Sequence, residues 1–257
     1  MSTKSYTYEQ PLNERVRTFL RVETLMRRFH YFTALKGDWS GYSALLGILE
    51  VTALLERGDL KQELLKELER QYGALKLLAT KDGVDKAKLD LILSKQNNAI
   101  DQIHKLNGKL GEPIKRIDFL LAIKQRTSIP GGSCNFDLPQ LRYWLNQTHE
   151  QRMNDLSRWA APYVEIESVI ELILYVIRDS GTPKQVVADK GFFQQSLDSQ
   201  RSNQLLRIEI PANKAYYPEI SAGKHRYSVR FLTSQSIDQV PSQVTEDVPF
   251  LLSRCSL

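Results

Sequence analysis

Cysteine, methionine and tryptophan are scarce: the 257 residues include two Cys, three Met and three Trp. Cys134 and Cys255 lie far apart and match neither a CxxC pair nor a Cys/His zinc spacing, so neither a disulfide framework nor a metal site is indicated. A reducing compartment is the simplest expectation. Histidine is almost as rare: His30, His104, His149 and His225 occur singly, without HExxH or neighbouring carboxylates at ligand spacing. Long apolar runs are missing as well. The most apolar window, 160–177, is interrupted by Glu165, Glu167 and Glu171, whereas a spanning helix needs about 20 mainly apolar residues. The N-terminal segment has no apolar run that could form the core of a signal peptide. No membrane insertion is expected, and the expected location is the cytoplasm.

Signatures of chemistry are absent too. There is no GxSxG nucleophile turn, no GxxxxGK[ST] and no GxGxxG, and Pro130-Gly131-Gly132 has neither the following helix nor the lysine of a phosphate cradle. That turn reads as structural. Glu165 with Glu167, and Glu67 with Glu69, fall two apart on helical segments and so on different faces, a poor geometry for shared acid and base work. The chain is not expected to be an enzyme, and no cofactor is implied. An unrecognised active site would need a buried pocket that pairs a carboxylate with His104 or His149.

What is present is an ordinary globular composition, 42% hydrophobic and 25% charged, with a net charge of +5 and a pI near 9.1. The excess is unevenly spread. Residues 1–36, 109–142 and 201–257 are net positive, while 37–108 and 143–200 are neutral to acidic. Three basic segments that converge would create one local field able to attract an acidic partner. Three solvated basic faces that never meet are the plain alternative. A nucleic-acid partner fits the pI, but no stacking-strand signature or recognition helix accompanies it.

Periodicity divides the chain. Tyr6 and Tyr8 alternate with polar residues ahead of Pro11, as in a short strand that pairs elsewhere. From Asn13, an N-cap by residue type, Phe19, Val22, Met26, Phe29 and Phe32 recur at helical spacing. Residues 39–55 form a second helix, closed by Arg57-Gly58-Asp59. Asp59 with Gln62 resembles a capping box for a third, whose apolar face is Leu60, Leu64, Leu65, Leu68, Leu75 and Leu78. Glu63 with Glu67, and Lys66 with Arg70, suggest its solvated outer face. After Asp82-Gly83 a fourth helix runs back as an antiparallel hairpin, and its Leu-rich 61–106 side is a candidate dimer surface. Gly108 and Gly111 separate it from a helix at 114–125. Asp137 is expected to cap a short helix with Pro139 in its first turn, another carries Leu156 and Trp159, and an apolar helix follows at 163–177. Beyond Gly181 the texture changes to short runs at 184–188, 191–196, 205–210, 224–233 and 248–252. The reading is α+β, with antiparallel strands after helices. The expected organisation is an N-terminal strand at 1–12 joining the sheet, a helical domain at 13–180 and a β-rich domain at 181–257.

In the 224–233 run, strict alternation places Lys224, Arg226 and Arg230 on one face and Tyr227, Val229 and Phe231 on the other. The second face is core. The first is a solvent or ligand face, and an antiparallel sheet commonly has one polar face without any function.

Several consecutive segments resemble one family. Tyr8-Glu9-Gln10-Pro11-Leu12-Asn13-Glu14-Arg15-Val16-Arg17, continuing through Arg21 to Glu23, resembles the N-terminal signature of the ZapD (YacF) family of bacterial cell-division proteins. The pattern recurs in Glu56-Arg57-Gly58-Asp59, in Arg126-Thr127-Ser128-Ile129-Pro130-Gly131-Gly132 through Pro139, and in Tyr217-Pro218-Glu219-Ile220-Ser221 through Arg230. The resemblance implies a non-enzymatic cytoplasmic protein at the mid-cell division ring, with a helical and a β-rich domain. It also implies a homodimer that binds the C-terminal tail of FtsZ through a basic pocket and bundles its filaments. On the matching motifs the implied partner-binding residues are Arg17, Arg21, Arg126, Arg226 and Arg230. Arg142 stands where the family pattern has histidine, and Arg116 substitutes for an arginine near Asp118; Lys224 completes the set. The alternative is a nucleic-acid-associated protein that uses the same basic face.

Overall fold

The computed structural model describes residues 4–56, 58–80, 83–106, 112–198, 202–234 and 236–257. Arg57, Asp82, Gly108 and Gly111 of the expected turns lie outside the described residues. The chain forms two compact units, Met1–Arg17 with Leu174–Leu257, and Thr18–Ile173. The fold is α+β, with helices in the N-terminal part and an antiparallel β structure that the first strand joins.

In the helical unit, α1 (Glu14–Thr33) buries Phe19, Val22, Met26 and Phe29 of the expected stripe, while Phe32 is only half-buried. It begins at Asn13, whose Oδ1 accepts the Val16 amide at 2.9 Å and so satisfies one of the donors a helix start leaves open. α2 (Asp38–Leu55) is mainly apolar; Thr52 shares a hydrogen bond of 2.6 Å with the Tyr163 hydroxyl. Burial pushes the Tyr163 phenol up to about 12, against the pull of that bond and with a smaller push from Glu56. α3 (Leu60–Leu78) is capped by Asp59, which accepts from the Gln62 amide, and runs antiparallel to α4 (Lys86–Lys105), joined by Gln96 donating to Gln71 at 2.9 Å.

Four details of this unit differ from the periodic reading. Glu67, expected on the solvated face, is fully buried. Arg70 donates to its carboxylate at 3.1 and 2.6 Å and Gln71 at 3.1 Å, so its charge enters the core already paired. The 114–125 helix is two, α5 (Glu112–Lys115) and α6 (Asp118–Arg126), because Ile117 takes an extended conformation between them. Asp137 does not cap α7 (Pro139–Leu145); Leu138 holds that position, and the Asp137 carboxylate accepts from Arg126 Nη1 at 2.5 Å instead. The helices around Trp159 and Tyr163 are one element, α8 (His149–Asp179), which continues through Pro162. The missing proline donor costs one internal bond. Burial of Leu156, Trp159, Tyr163 and Ile166 on both sides of it offsets the loss.

In the other unit two sheets enclose a core. β1 (Ser5–Pro11), β4 (Asn203–Pro211), β8 (Val248–Ser256) and β2 (Lys184–Ala188) form one sheet in that order, and β3 (Phe192–Ser196), β6 (Arg226–Thr233) and β5 (Tyr216–Ala222) form the second. A two-residue strand, β7 (Ser242–Gln243), pairs with β6. Ile208, Ile210, Phe250 and Leu252 from one sheet meet Tyr227, Val229 and Phe231 from the other, as in a sandwich whose inner faces interdigitate. Strands β5 and β7 were not expected from the sequence. Pro218 within β5 is tolerated because this is an edge strand, where a missing ladder donor leaves no partner unpaired. Burial lifts the Cys255 thiol to about 11, opposed in part by the charges of Arg207 and Arg178 and reinforced slightly by Glu9, whereas Cys134 is exposed. A native thiol titration at neutral pH is therefore expected to count one reactive cysteine, rising to two on denaturation; two fast thiols in the native protein would contradict this. Below pH 9 both states keep the Cys255 proton. Between about 9 and 11 the unfolded state alone ionises, so stability falls there as pH rises.

Candidate partner-binding surfaces

The cationic strand face is built as its alternation requires. Tyr227, Val229 and Phe231 of β6 are at most 1% exposed, which forces Arg226 and Arg230 outward on the opposite face. Burial also raises the Tyr227 phenol, partly countered by the charge of Arg254, and its hydroxyl donates to Gln195 at 2.7 Å. Arg230 lies opposite Phe192 on β3 and Glu219 on β5, and Arg226 lies opposite Ser196. The register places Tyr217 on this outer face as well, across from Leu232. Phe192 and Tyr217 are 39% and 37% exposed, so two guanidiniums share the face with two accessible aromatic rings. Among the described residues neither Arg226 nor Arg230 forms an ion pair. Lys224 departs from the expected alternation. It sits in the turn before β6, which the Gly223 amide closes by donating to the Arg226 carbonyl at 2.9 Å, so the sheet does not fix its direction.

The remaining candidates belong to helices and their connections. Arg17 and Arg21 are one turn apart on α1; Arg17 is half-buried and 3.4 Å from Glu14, while Arg21 is exposed. Arg116 is exposed in the break between α5 and α6, and Arg142 is exposed on α7. Arg126 is committed within the chain through Asp137, which lies beyond the Pro130-Gly131-Gly132 turn in sequence. Gly132 is required there, because a Cβ at that position would meet the Arg126 carbonyl oxygen at 2.5 Å. Thus the sheet brings Arg226 and Arg230 together, α1 brings Arg17 and Arg21 together, and Arg126 is engaged elsewhere. The sequence reading missed Phe192 and Tyr217. Their signal was the alternation Phe192, Gln194, Ser196 and Tyr217, Glu219, Ser221, which shows only once the pairing partners are known.

Among the described residues no three His, Cys, Asp or Glu side chains gather as metal ligands. Neither His104 nor His149 faces a carboxylate partner there; the histidine that does is His30, at 2.9 Å from Glu167 on an exposed surface. No helix of the described residues is long and apolar enough to cross a membrane. A helical unit and an antiparallel sandwich place the chain in the α+β class, with exposed arginines beside aromatic rings on one sheet face.

Known proteins give that class a family. A sequence model described as "ZapD: Cell division protein" matches residues 20–230. The chain is 40% identical over 250 residues to cell division protein ZapD of Methylococcus capsulatus, covering 97% of this chain and 98% of the relative. It is 39% identical over 250 residues to that of Nitrosomonas eutropha, covering 97% and 99%, and 35% identical over 258 residues to that of Coxiella burnetii, covering all of both. The chain belongs to the ZapD family of cell division proteins.

Proposed function

We propose that this protein binds the C-terminal tail of FtsZ through its exposed arginines and, as a homodimer, crosslinks and bundles FtsZ filaments at the mid-cell division ring. It does so in the cytoplasm and without catalysis. The observation that carries the reading is the outer face of β6, where Arg226 and Arg230 form no ion pair among the described residues and stand beside Phe192 and Tyr217. A guanidinium offers two parallel donors to a carboxylate, and an adjacent ring offers apolar contact to a neighbouring side chain. Arg21, Arg116, Arg142 and Lys224 are the further cations assigned to the tail. Arg17 and Arg126 take supporting roles because each already meets a carboxylate of its own chain. Two equivalent sites on a twofold dimer would bridge filaments and gain avidity along them.

Titration of a labelled FtsZ tail peptide against the full chain tests this. Saturable binding is expected, weakened about tenfold by Arg226→Ala and by Arg230→Ala, with a modest salt dependence. A wild-type protein that ignores the peptide at low salt but binds nucleic acid with a steep salt slope would replace tail recognition with the nucleic-acid reading. Filament bundling that requires the dimer, followed by sedimentation and light scattering, is the corresponding assembly test.

A further inference from the structure

The inner faces of two packed sheets are expected to be apolar throughout, since together they make the core. At one end of the β unit they are not. Along β8 the inward positions Val248, Phe250 and Leu252 are core, but Arg254 and Ser256 continue the same face. On neighbouring β2, Val186 opposes Phe250 and Ala188 opposes Val248, which puts Lys184, opposite Leu252, on that face too. Tyr227 on β6 is core, yet its partner on β3 is the exposed Gln195. Lys184, Gln195, Arg254 and Ser256 line an open cleft of about 590 Å³, within the size range of small-ligand sites.

The strand geometry adds to this polar end. Leu206 and Ile208 of β4 face inward, so unbroken alternation would turn Gln204 inward and Asn203 away. The register slips between Asn203 and Leu205 instead, and Asn203 pairs with Ser256 and lines the cleft. Gln204 is buried and accepts from Asn13 at 2.7 Å. The lining is rich in donors. Arg254 is half-buried, and its charge acts on the Tyr227 phenol, which places the guanidinium between the sheets. Lys184 is its diagonal neighbour across the β2–β8 ladder, a spacing of about 7 to 8 Å. Among the described residues neither cation forms an ion pair. Gln195 accepts the Tyr227 hydroxyl through Oε1 at 2.7 Å, which leaves Nε2 as a further donor, and Thr182 and Ser256 add hydroxyls. The Ser180 hydroxyl is already engaged by the Ile177 carbonyl. Asp198 is the carboxylate of the lining, so two cations face one anion.

We infer that this cleft binds a small phosphate monoester of the sugar-phosphate class, with its phosphate held between Arg254 and Lys184. A carboxylate is satisfied by one guanidinium, whereas a monoester phosphate carries nearly two charges and three acceptor oxygens, which calls for both cations and the adjacent neutral donors. The volume leaves room for an organic part, and Asn203 and Asp198 offer acceptors to its hydroxyls. No aromatic ring lines the cleft, so a nucleobase finds no stacking surface there. The site lies on the inner faces of the sandwich and is distinct from the outer face of β6 assigned to the FtsZ tail.

Calorimetric titration of the full chain with ribose 5-phosphate, AMP and inorganic phosphate tests this, repeated on Arg254→Gln, Lys184→Gln and Arg226→Ala. A thermal melt verifies that each variant is folded. Lys184 is exposed at the mouth of the cleft, so its replacement tests the site even if Arg254→Gln proves unstable. Ribose 5-phosphate is expected to bind saturably at one site per chain, about tenfold more weakly to each cleft variant and unchanged to Arg226→Ala. AMP should bind no more tightly than ribose 5-phosphate, and inorganic phosphate more weakly. Absence of saturable binding by ribose 5-phosphate overturns the inference. An equal loss in Arg226→Ala overturns it by showing a general response to surface charge. Inorganic phosphate that binds as tightly as the ester reduces the cleft to an adventitious ion only, and tighter binding of AMP would assign the ligand to another class; either result overturns the proposal.

Discussion

Replacing Arg152 with Met is expected to destabilise the helical unit by about 3 kcal/mol, from the loss of donors to two carbonyls and of a partner to a carboxylate. Arg152 is 4% exposed. Its Nη1 donates to the carbonyls of Leu145 and Gln147, each at 2.6 Å, and lies 3.2 Å from Asp38. Leu145 is the last residue of α7, and its carbonyl is one of those that a helix end leaves without an internal donor. The guanidinium thus closes the end of α7 and fixes where α8 begins. Met fills similar volume, which separates the lost hydrogen bonds from a simple cavity. Arg152→Lys should recover less than half of the loss, since the shorter side chain leaves its ammonium short of the point where Nη1 meets all three acceptors. Chemical denaturation followed through tryptophan emission reads this directly, because Trp144 and Trp159 flank the affected junction. A change below about 0.5 kcal/mol, the level of an ordinary surface substitution, would show that water replaces the guanidinium without cost. The same variant should weaken peptide binding, because α7 carries Arg142.

The sequence made the elements legible wherever a period coincided with burial. α1, with its Asn13 cap and its stripe from Phe19 to Phe29, follows the spacing closely, and so does β6, whose Tyr227, Val229 and Phe231 could only face a core. Pairing was less legible. β1 was recognisable as a strand, but its partner β4 lies about two hundred positions away, and no local signal selects it. β5 escaped because Pro218 demotes a strand pattern, and only its place at a sheet edge makes the proline harmless. Glu67 shows a different limit. A glutamate four residues from another glutamate reads as solvated, yet its burial depends on Arg70, Gln71 and Gln96 arriving at one point across two helices. The arginines of the candidate surfaces were visible as charge and as motif. Their availability was not: Arg126 reads like Arg226 in sequence, and only the fold pairs it with Asp137. The open space lined by Phe119, Trp144 and Trp159 was invisible for a related reason. Trp144 and Trp159 look like core residues and are core residues, and the space above them arises from how α6, α7 and α8 meet.

The family signature at the N-terminus also carries structural work, and Glu9 shows it most sharply. Its carboxylate accepts from Arg178 Nε and Nη2 at 2.9 and 2.7 Å and from Arg207 Nε at 3.0 Å. One side chain on β1 thereby holds the end of α8 and the adjacent strand β4, and all three side chains are about a quarter exposed or less. Glu9→Gln keeps the shape, removes the charge and leaves two guanidiniums facing each other. The expected cost is about 3 kcal/mol, in the range for breaking a largely buried ion network by removing one member. Two further measurements separate this from a packing defect. Added salt should shrink the deficit, since it screens the repulsion between Arg178 and Arg207. Glu9→Gln combined with Arg207→Met should cost less than the two single losses added together, because the second substitution removes the uncompensated charge. Strict additivity would mean that Glu9 acts only as one strand residue among others. A coupling above about 1 kcal/mol would mean that the motif residue ties β1, β4 and the C-terminal end of α8 into one cooperative unit.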